Sequence, residues 1–348
     1  MNLKTSLLIA LGLSLAAIVA WEIYWRNQGY FPNLDSDNEL WALQRAKIPD
    51  RSEEDVVLVG SSRIFFDIQL QTWKDITGRM PVQLAIEGTS PLYTFDDIAR
   101  NSEFGGTVIV GVTPGLFFST VFPEAGPHEE ALGAIKHFKE RTYAQRLNHL
   151  ISLPIQNNVA FANSYRGTGG SKLQTILNDL KKGGTRIPDP MPPFPNFGQV
   201  DHNRNLRMRD IYANDTSEAR KIKDVWKFFA TSAPRDRKPQ IKETTQHFIE
   251  NAKLIIERGG KVILLRAPST GWLYAAEEKF LPRNDGWDYL VKASGLPAYH
   301  FKDYPQLDQF ECPEWSHLSG PQGEVFTREF VEILIADGHI KSLSQSNN

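Results

Sequence analysis

The chain has 348 residues, of which 41% are hydrophobic, and this is enough for one large folded domain or two ordinary ones. The formal net charge of −2 leaves no excess of positive charge to attract a phosphate backbone, so nucleic acid is excluded as an expected partner. The single cysteine, Cys312, has no partner for an internal disulfide, so cysteine usage points to neither an oxidising nor a reducing compartment.

An apolar segment opens the chain. Residues 5–21, "TSLLIALGLSLAAIVAW", carry no charge, and the segment ends among Trp21, Tyr24 and Trp25. An uncharged run followed by interfacial aromatic residues is typical of a membrane-spanning helix. We therefore predict an N-terminal membrane anchor over residues 1–26. The apolar core of a cleaved signal peptide is the alternative, although no small-x-small cleavage site precedes Trp21.

The next segment, residues 27–55, is polar and contains two prolines, which favours a linker with one short helix near residues 40–46. The folded body is predicted to span residues 56–340, and a short tail, residues 341–348, ends the chain.

Five short strand-like segments lie in this body: residues 56–59, 82–86, 107–112, 261–267 and 298–301. Helix-like segments alternate with them: residues 92–101, 243–258 and 322–336. This alternation predicts an α/β fold with a doubly wound, mainly parallel, five-stranded sheet.

Residues 121–241 interrupt the alternation and are far longer than a typical connection between a strand and a helix. Their helix-like stretches are residues 129–150, 171–182 and 217–229. We predict a helical insertion that forms a cap or lid beside the active edge of the sheet. Its proline cluster, residues 186–199, is predicted to be a stiff surface loop, and a polyproline helix that binds an aromatic groove is the alternative.

Polar residues follow the first predicted strand directly, in the sequence Gly60-Ser61-Ser62. The carboxyl ends of parallel strands are where open α/β sheets bind ligands, so the serines either carry chemistry or cap the next helix. Near the other end of the chain, Glu314 lies three residues before His317 in a loop that precedes the last helix. This spacing allows a carboxylate to fix the imidazole tautomer, whereas an incidental surface loop is the simpler alternative for this segment alone.

Taken together and in this order, these blocks resemble the SGNH or GDSL hydrolase superfamily. The Gly-Asp-Ser block of that family corresponds to Gly60-Ser61-Ser62, and its Asp-x-x-His block corresponds to Glu314-Trp315-Ser316-His317. The resemblance implies a catalytic triad in which Ser62 is the nucleophile, His317 the base and Glu314 the acid that orients it. In this sequence the acid is Glu rather than Asp.

The second and third blocks of the family supply the oxyanion hole. Gly88, in "AIEGTSP", matches the glycine of the second block, and Thr113 stands where the Gly-x-Asn block has asparagine. The resemblance therefore implies three oxyanion donors: the N–H groups of Ser62 and Gly88 and the side chain of Thr113.

Within the superfamily, the chain is most similar to a membrane-anchored, exported branch that begins with Gly-Ser-Ser. Members of that branch work with membrane-bound O-acyltransferases to acylate cell-envelope polymers such as alginate, cellulose or teichoic acid. The resemblance implies an O-acyltransferase or esterase, without a cofactor, that acts in polysaccharide acetylation. It also implies a single-pass protein of the bacterial inner membrane with its catalytic domain in the periplasm or outside the cell. A catalytically silent, membrane-tethered module that binds a glycan or a partner protein is the alternative.

Arg63, Arg266 and Ser269 follow predicted strands on the same edge and are candidates for binding an acidic sugar or a charged acyl group. An internal ion pair with an acid such as Asp67 or Glu278 is the alternative for the arginines.

Three tryptophans, Trp272, Trp287 and Trp315, are candidates for stacking on sugar rings, with core packing as the alternative. No metal site is predicted, because the eight histidines are scattered without a ligand spacing such as His-Glu-x-x-His.

Overall fold

The computed structural model describes residues 2–50, 52–162, 192, 194–232 and 238–346. The chain divides into a smaller unit, Met1–Asp35 with Thr142–Pro188, and a larger unit, Ser36–Arg141 with Asp189–Asn348. The predicted helix over residues 171–182 lies outside the described residues, and so do residues 186–191 and 193 of the proline cluster.

The described residues form seven strands, and five of them make an all-parallel sheet in the larger unit. In chain order the strands are β1 (Val56–Val59), β2 (Val82–Gln83), β3 (Thr107–Gly111), β4 (Gly198–Val200), β5 (Leu206–Met208), β6 (Lys261–Arg266) and β7 (Ala298–His300). The large sheet has the order β2-β1-β3-β6-β7, and β4 and β5 form a separate antiparallel pair. Counted along the five strands this is the order 2-1-3-4-5 of flavodoxin-like sheets. The predicted α/β class and parallel sheet are confirmed.

The helices among the described residues are, in chain order, α1 (Leu3–Asn27), α2 (Asn38–Arg45), α3 (Ser62–Asp67), α4 (Leu70–Thr77), α5 (Leu92–Asn101), α6 (Pro114–Phe117), α7 (Gly126–Glu140), α8 (Tyr143–Asn158), α9 (Asp210–Asn214), α10 (Thr216–Ser232), α11 (Ile241–Glu257), α12 (Gly271–Phe280), α13 (Trp287–Ser294), α14 (Pro305–Asp308), α15 (Gly320–Ala336) and α16 (Leu343–Ser346). Short 3₁₀ turns span Ile48–Asp50, Ala160–Ala162 and Phe301–Asp303.

The central strands are apolar at nearly every position because helices cover both faces of the sheet. All four residues of β1 and all five of β3 are buried. Val57 lies opposite Val108, and Val110 lies opposite Leu264, so β-branched and leucine side chains continue across the sheet. The sheet is therefore a rigid base that fixes the loops at the carboxyl ends of its strands.

The segment before β1 is folded into the larger unit rather than forming a linker throughout. Helix α2 packs on α7, and Trp41 is buried with its indole nitrogen donating to the Leu84 carbonyl at 3.1 Å. Arg45 forms a buried ion pair with Asp97 at 2.6 Å. The short helix predicted near residues 40–46 corresponds to α2, whose buried side chains pack in the larger unit.

The inserted residues 121–241 are divided between the two units. Helix α7 packs in the larger unit, where Glu39 binds both His137 and Arg141, at 2.6 and 3.0 Å. Helix α8 belongs to the smaller unit, whereas β4, β5 and α10 belong to the larger one. Residues 121–241 are thus shared between the two units.

Helix α1 has 25 residues, none of them buried, and a mean hydropathy of 2.1 over its most apolar window. Among the described residues it is the one helix long and apolar enough to cross a membrane. This agrees with the predicted span in length and composition.

Candidate active site

The nucleophile candidate lies at the tight junction between β1 and α3. Ser61 is the N-cap of α3, and Ser62 is its first residue and is partly exposed. A Cβ atom on Gly60 or on Gly111 would overlap the Ile64 side chain. Glycine is required at both strand ends because α3 approaches them closely, and this approach places Ser62 over the carboxyl edge of the sheet.

Ser62, His317 and Glu314 form one hydrogen-bonded chain. The Ser62 Oγ lies 2.8 Å from His317 Nε2, and His317 Nδ1 lies 2.9 Å from Glu314 Oε1. The His317 backbone N–H also donates to Glu314 Oε1, at 2.6 Å, which closes the turn between the two residues. With Nδ1–H donating to the carboxylate, Nε2 is left as the acceptor for the serine hydroxyl. The structure thus brings together the three residues that the sequence predicts as a triad.

The insertion adds a contact that the sequence analysis missed. Trp226, on α10, donates its indole N–H to Glu314 Oε2, while Oε1 accepts from His317. Both carboxylate oxygens are therefore engaged, and the side chain of Glu314 is completely buried. No local pattern marks Trp226, because the contact joins residues 88 positions apart.

Aromatic rings enclose the imidazole. The ring of His317 lies 4.6 Å from the ring of Phe66, 5.6 Å from that of Phe197 and 5.8 Å from that of Trp226, measured between centroids. The His317 side chain is 1% exposed. This packing fixes the orientation of the imidazole and keeps water from every part of it except the Ser62 side.

The predicted oxyanion residues follow β2 and β3. Gly88 is exposed in the loop after β2, and its φ of +68° is a left-handed conformation that favours glycine. Thr113 is the N-cap of α6, and its hydroxyl lies 2.7 Å from the Ser61 hydroxyl. The N–H of Ser62 is the first of a helix and has no acceptor within that helix.

Arg63 and Arg266, predicted to bind substrate or to form an internal ion pair, both contact Glu277. The distances are 2.5 Å from Arg63 Nη2 and 2.8 Å from Arg266 Nη2, and Ser269 Oγ donates to the same carboxylate at 2.8 Å. Burial raises the pKa of Glu277, but the two guanidinium groups outweigh it and hold the pKa below the ordinary value. Both arginines therefore form an internal ion pair, and its acid is Glu277 rather than Asp67 or Glu278.

Asp67 instead joins α3 to the loop that carries the histidine. Its Oδ1 accepts from the Leu318 N–H at 2.9 Å, one residue after His317, and the side chain is fully buried. Burial raises the pKa of Asp67 well above the ordinary value. The Asp67 side chain therefore connects α3 to the loop that carries His317.

The candidate tryptophans separate into two groups. Trp287 is 5% exposed and packs in the core, which is the alternative to sugar stacking. Trp315, between Glu314 and His317, has a φ of +80° and lies 5.8 Å from Trp272, between ring centroids. Such a conformation is rare for a bulky residue and is typical of functional sites.

Lysines also cover the Trp315 ring. The Nζ atoms of Lys223 and Lys227 lie 5.1 and 5.4 Å from its centroid. The loop that carries the triad therefore presents a partly exposed aromatic and basic surface.

Neither protein-family models nor curated protein sequences match this chain. Within the described ranges, no group of three or more His, Cys, Asp or Glu side chains is arranged to hold a metal ion.

Proposed function

We propose that the protein is a membrane-anchored, serine-dependent enzyme of the SGNH or GDSL type. It transfers or hydrolyses O-acyl esters, with acetyl as the expected group, on a glycan of the cell envelope or of the cell exterior. The observation that carries the proposal is the hydrogen-bonded chain from Ser62 through His317 to Glu314. The block order that resembles the superfamily supports it independently.

In the first half-reaction, His317 Nε2 accepts the Ser62 proton as Ser62 Oγ attacks the ester carbonyl. The carbonyl oxygen becomes an oxyanion, and Glu314 stabilises the imidazolium. The tetrahedral intermediate then collapses: the bond to the alcohol breaks, and His317 gives its proton to the leaving alkoxide. The acyl group remains on Ser62 as an ester.

In the second half-reaction, an acceptor hydroxyl attacks the acyl-serine while His317 takes its proton. The bond to Ser62 Oγ breaks, and His317 returns the proton to Ser62. Water as the acceptor makes the protein an esterase, and a sugar hydroxyl makes it an O-acyltransferase. The exposed ring of Trp272, next to Trp315, offers a face on which a sugar acceptor stacks.

The oxyanion is stabilised by the N–H groups of Ser62 and Gly88, and each donor of this kind contributes about 3 to 4 kcal/mol in the transition state. Either Ser61 or Thr113 can donate in their shared hydrogen bond. When Ser61 donates, the Thr113 proton is free to point at the oxyanion. Ser61 is thus a positioning residue for Thr113.

The second candidate function is a catalytically silent, membrane-tethered module on the same fold that binds a glycan or a partner protein. Glu in place of Asp at position 314 and Thr in place of Asn at position 113 are the departures from the family pattern that keep this candidate.

We place the protein in the bacterial inner membrane with the triad on the periplasmic or outer side. The length and hydropathy of α1 support a single-pass anchor. A membrane-bound O-acyltransferase is the partner that would supply the acyl group, as the resemblance implies.

The test supplies full-length protein with a small activated acetyl ester, with and without an oligosaccharide acceptor. Release of acetate at equal rates with and without acceptor supports an esterase, and acetylated oligosaccharide detected by mass spectrometry supports a transferase. Ser62→Ala is the control and should form neither product. Failure of the parent chain to consume the ester would favour the silent module.

A further inference from the structure

Helix α8 in the smaller unit carries an exposed apolar face. Its members are spaced as on one side of a helix, and their exposed fractions range from 48% to 88%. They are Tyr143, Leu147, Leu150, Ile151 and Ile155. The opposite side carries His149, which is buried, and Gln156, whose side-chain oxygen accepts from the Asp35 N–H at 2.9 Å. The helix is thus packed on its polar side and open on its apolar side.

The composition of α8 suits a lipid surface. It contains no Asp or Glu, and Arg146 is its single Lys or Arg. Its 16 residues give a length of about 24 Å. A continuous row of large apolar side chains on a helix of this length is unusual on a surface that faces only water.

Hydrogen bonds fix the end of α8 to the end of α1. The Glu22 carboxylate accepts from the N–H groups of Ala160 and Phe161, at 2.8 and 3.2 Å. Arg26 Nη2 donates to the Asn158 carbonyl at 3.0 Å. The C-terminal end of α8 is therefore held at the last two turns of the apolar helix.

Those turns carry an aromatic cluster. The rings of Trp21, Tyr24 and Trp25 lie 5.5, 5.6 and 5.7 Å apart, between centroids. Tryptophan and tyrosine concentrate at the boundary between lipid chains and water. If α1 spans the membrane, the end of α8 lies at that boundary.

We infer that α8 lies in the membrane interface, with its apolar face among the lipid headgroups and the first acyl carbons. This inference rests on the proposed anchoring by α1, because the position of α1 in the bilayer sets the depth at which the end of α8 lies. The occupant of the apolar face is the lipid bilayer itself rather than a protein.

The test uses variants of the full-length chain with one introduced cysteine each, labelled with an environment-sensitive fluorophore and reconstituted into phosphatidylcholine and phosphatidylglycerol vesicles. Leu150→Cys and Ile151→Cys probe the apolar face. Leu15→Cys in α1 reports the anchor, and Lys253→Cys, exposed on α11 of the larger unit, reports water. Unsubstituted protein is the blank, because Cys312 is buried.

We expect labels at residues 150 and 151 to show blue-shifted emission and to be quenched by nitroxide lipids labelled near the headgroup. The label at residue 15 should be quenched by lipids labelled deep in the chain, and the label at residue 253 by aqueous iodide alone. Lipid quenching at residue 150 or 151 together with deep-lipid quenching at residue 15 supports both the inference and the anchor. Lipid quenching at residue 150 or 151 without deep-lipid quenching at residue 15 supports the interfacial position of α8 and counts against the anchor.

Quenching of both α8 labels by iodide alone would overturn the inference, and deep-lipid quenching at residue 15 would then leave the anchor intact. Labels on α8 that are shielded from both quenchers would mean a protein contact and would overturn it equally.

Discussion

The indole N–H of Trp226 donates to the Glu314 carboxylate, and this contact connects the inserted helix α10 to the proposed triad. Glu314 thereby has a partner on each oxygen, His317 on one and Trp226 on the other. Partners of this kind hold the acid that in turn orients the histidine. The insertion, predicted from the sequence as a lid alone, thus contributes to the positioning of the triad.

Trp226→Phe should lower kcat and leave KM for a small acetyl ester unchanged. A hydrogen bond to a charged group contributes about 1.5 to 3 kcal/mol, so the expected loss is about 10- to 100-fold if all of it is expressed in the transition state. Phe229→Leu, on the same helix, is the matched control, because it changes the aromatic packing and removes no hydrogen bond. Equal losses in both variants would show that packing alone matters.

Thr113→Val should lower kcat by about 100-fold or more, because it removes an oxyanion donor of the size known from other hydrolases. Ser61→Ala should cost less, since it removes only the partner that orients the threonine hydroxyl. Steady-state kinetics with the same ester measure both variants. A larger loss for Ser61→Ala than for Thr113→Val would contradict the assigned roles.

Glu277→Gln should destabilise the larger unit by about 3 to 5 kcal/mol, because it leaves two buried guanidinium groups without their counter-charge. The lowered pKa of Glu277 means that its stabilising contribution is present above the ordinary value of 4.5 and is lost as pH falls through the folded-state pKa. Denaturant unfolding at pH 7 and at lower pH measures the free energy of unfolding. The difference between the parent chain and the variant should shrink as the solution becomes acidic, and a constant difference would be evidence against the ion-pair role.

Asp67→Asn should raise the free energy of unfolding at pH 7. Because burial raises the pKa of Asp67 in the folded chain, the folded chain holds this proton to a higher pH than the unfolded chain, which releases it above the ordinary value of 3.8. Folding stability therefore falls as pH rises above this value, and asparagine removes the loss while its side-chain oxygen still accepts from Leu318. Thermal unfolding over a pH series measures the effect, and a variant less stable than the parent chain at pH 7 would show that the charged form is needed.

Local patterns were sufficient to predict the sheet, whereas the prediction of the triad also needed the order of the blocks and its resemblance to the superfamily. The apolar runs of β1 and β3 and the Glu-x-x-His spacing in the last loop each depend on residues close together in the chain. The partners of Glu277 and Glu314 were not predictable in this way, because they come from distant elements that meet only in the folded chain.

The division of the insertion between two units also leaves no mark in the sequence. Helices α7 and α8 are separated by only two residues, yet α7 packs in the larger unit and α8 in the smaller. Both helices are amphipathic. The spacing of apolar residues predicts that a helix has an apolar face, but it does not predict which element covers that face.

The central claim is that Ser62 is an activated nucleophile, and labelling with a fluorophosphonate followed by peptide mass spectrometry tests it most directly. An ordinary serine does not react, whereas one activated by a histidine forms a stable phosphonyl ester. We expect the adduct on Ser62 in the parent chain and in Ser61→Ala, and none in His317→Ala. An adduct on Ser61 would contradict the nucleophile assignment, and a properly folded parent chain that remains unlabelled would contradict the catalytic account as a whole.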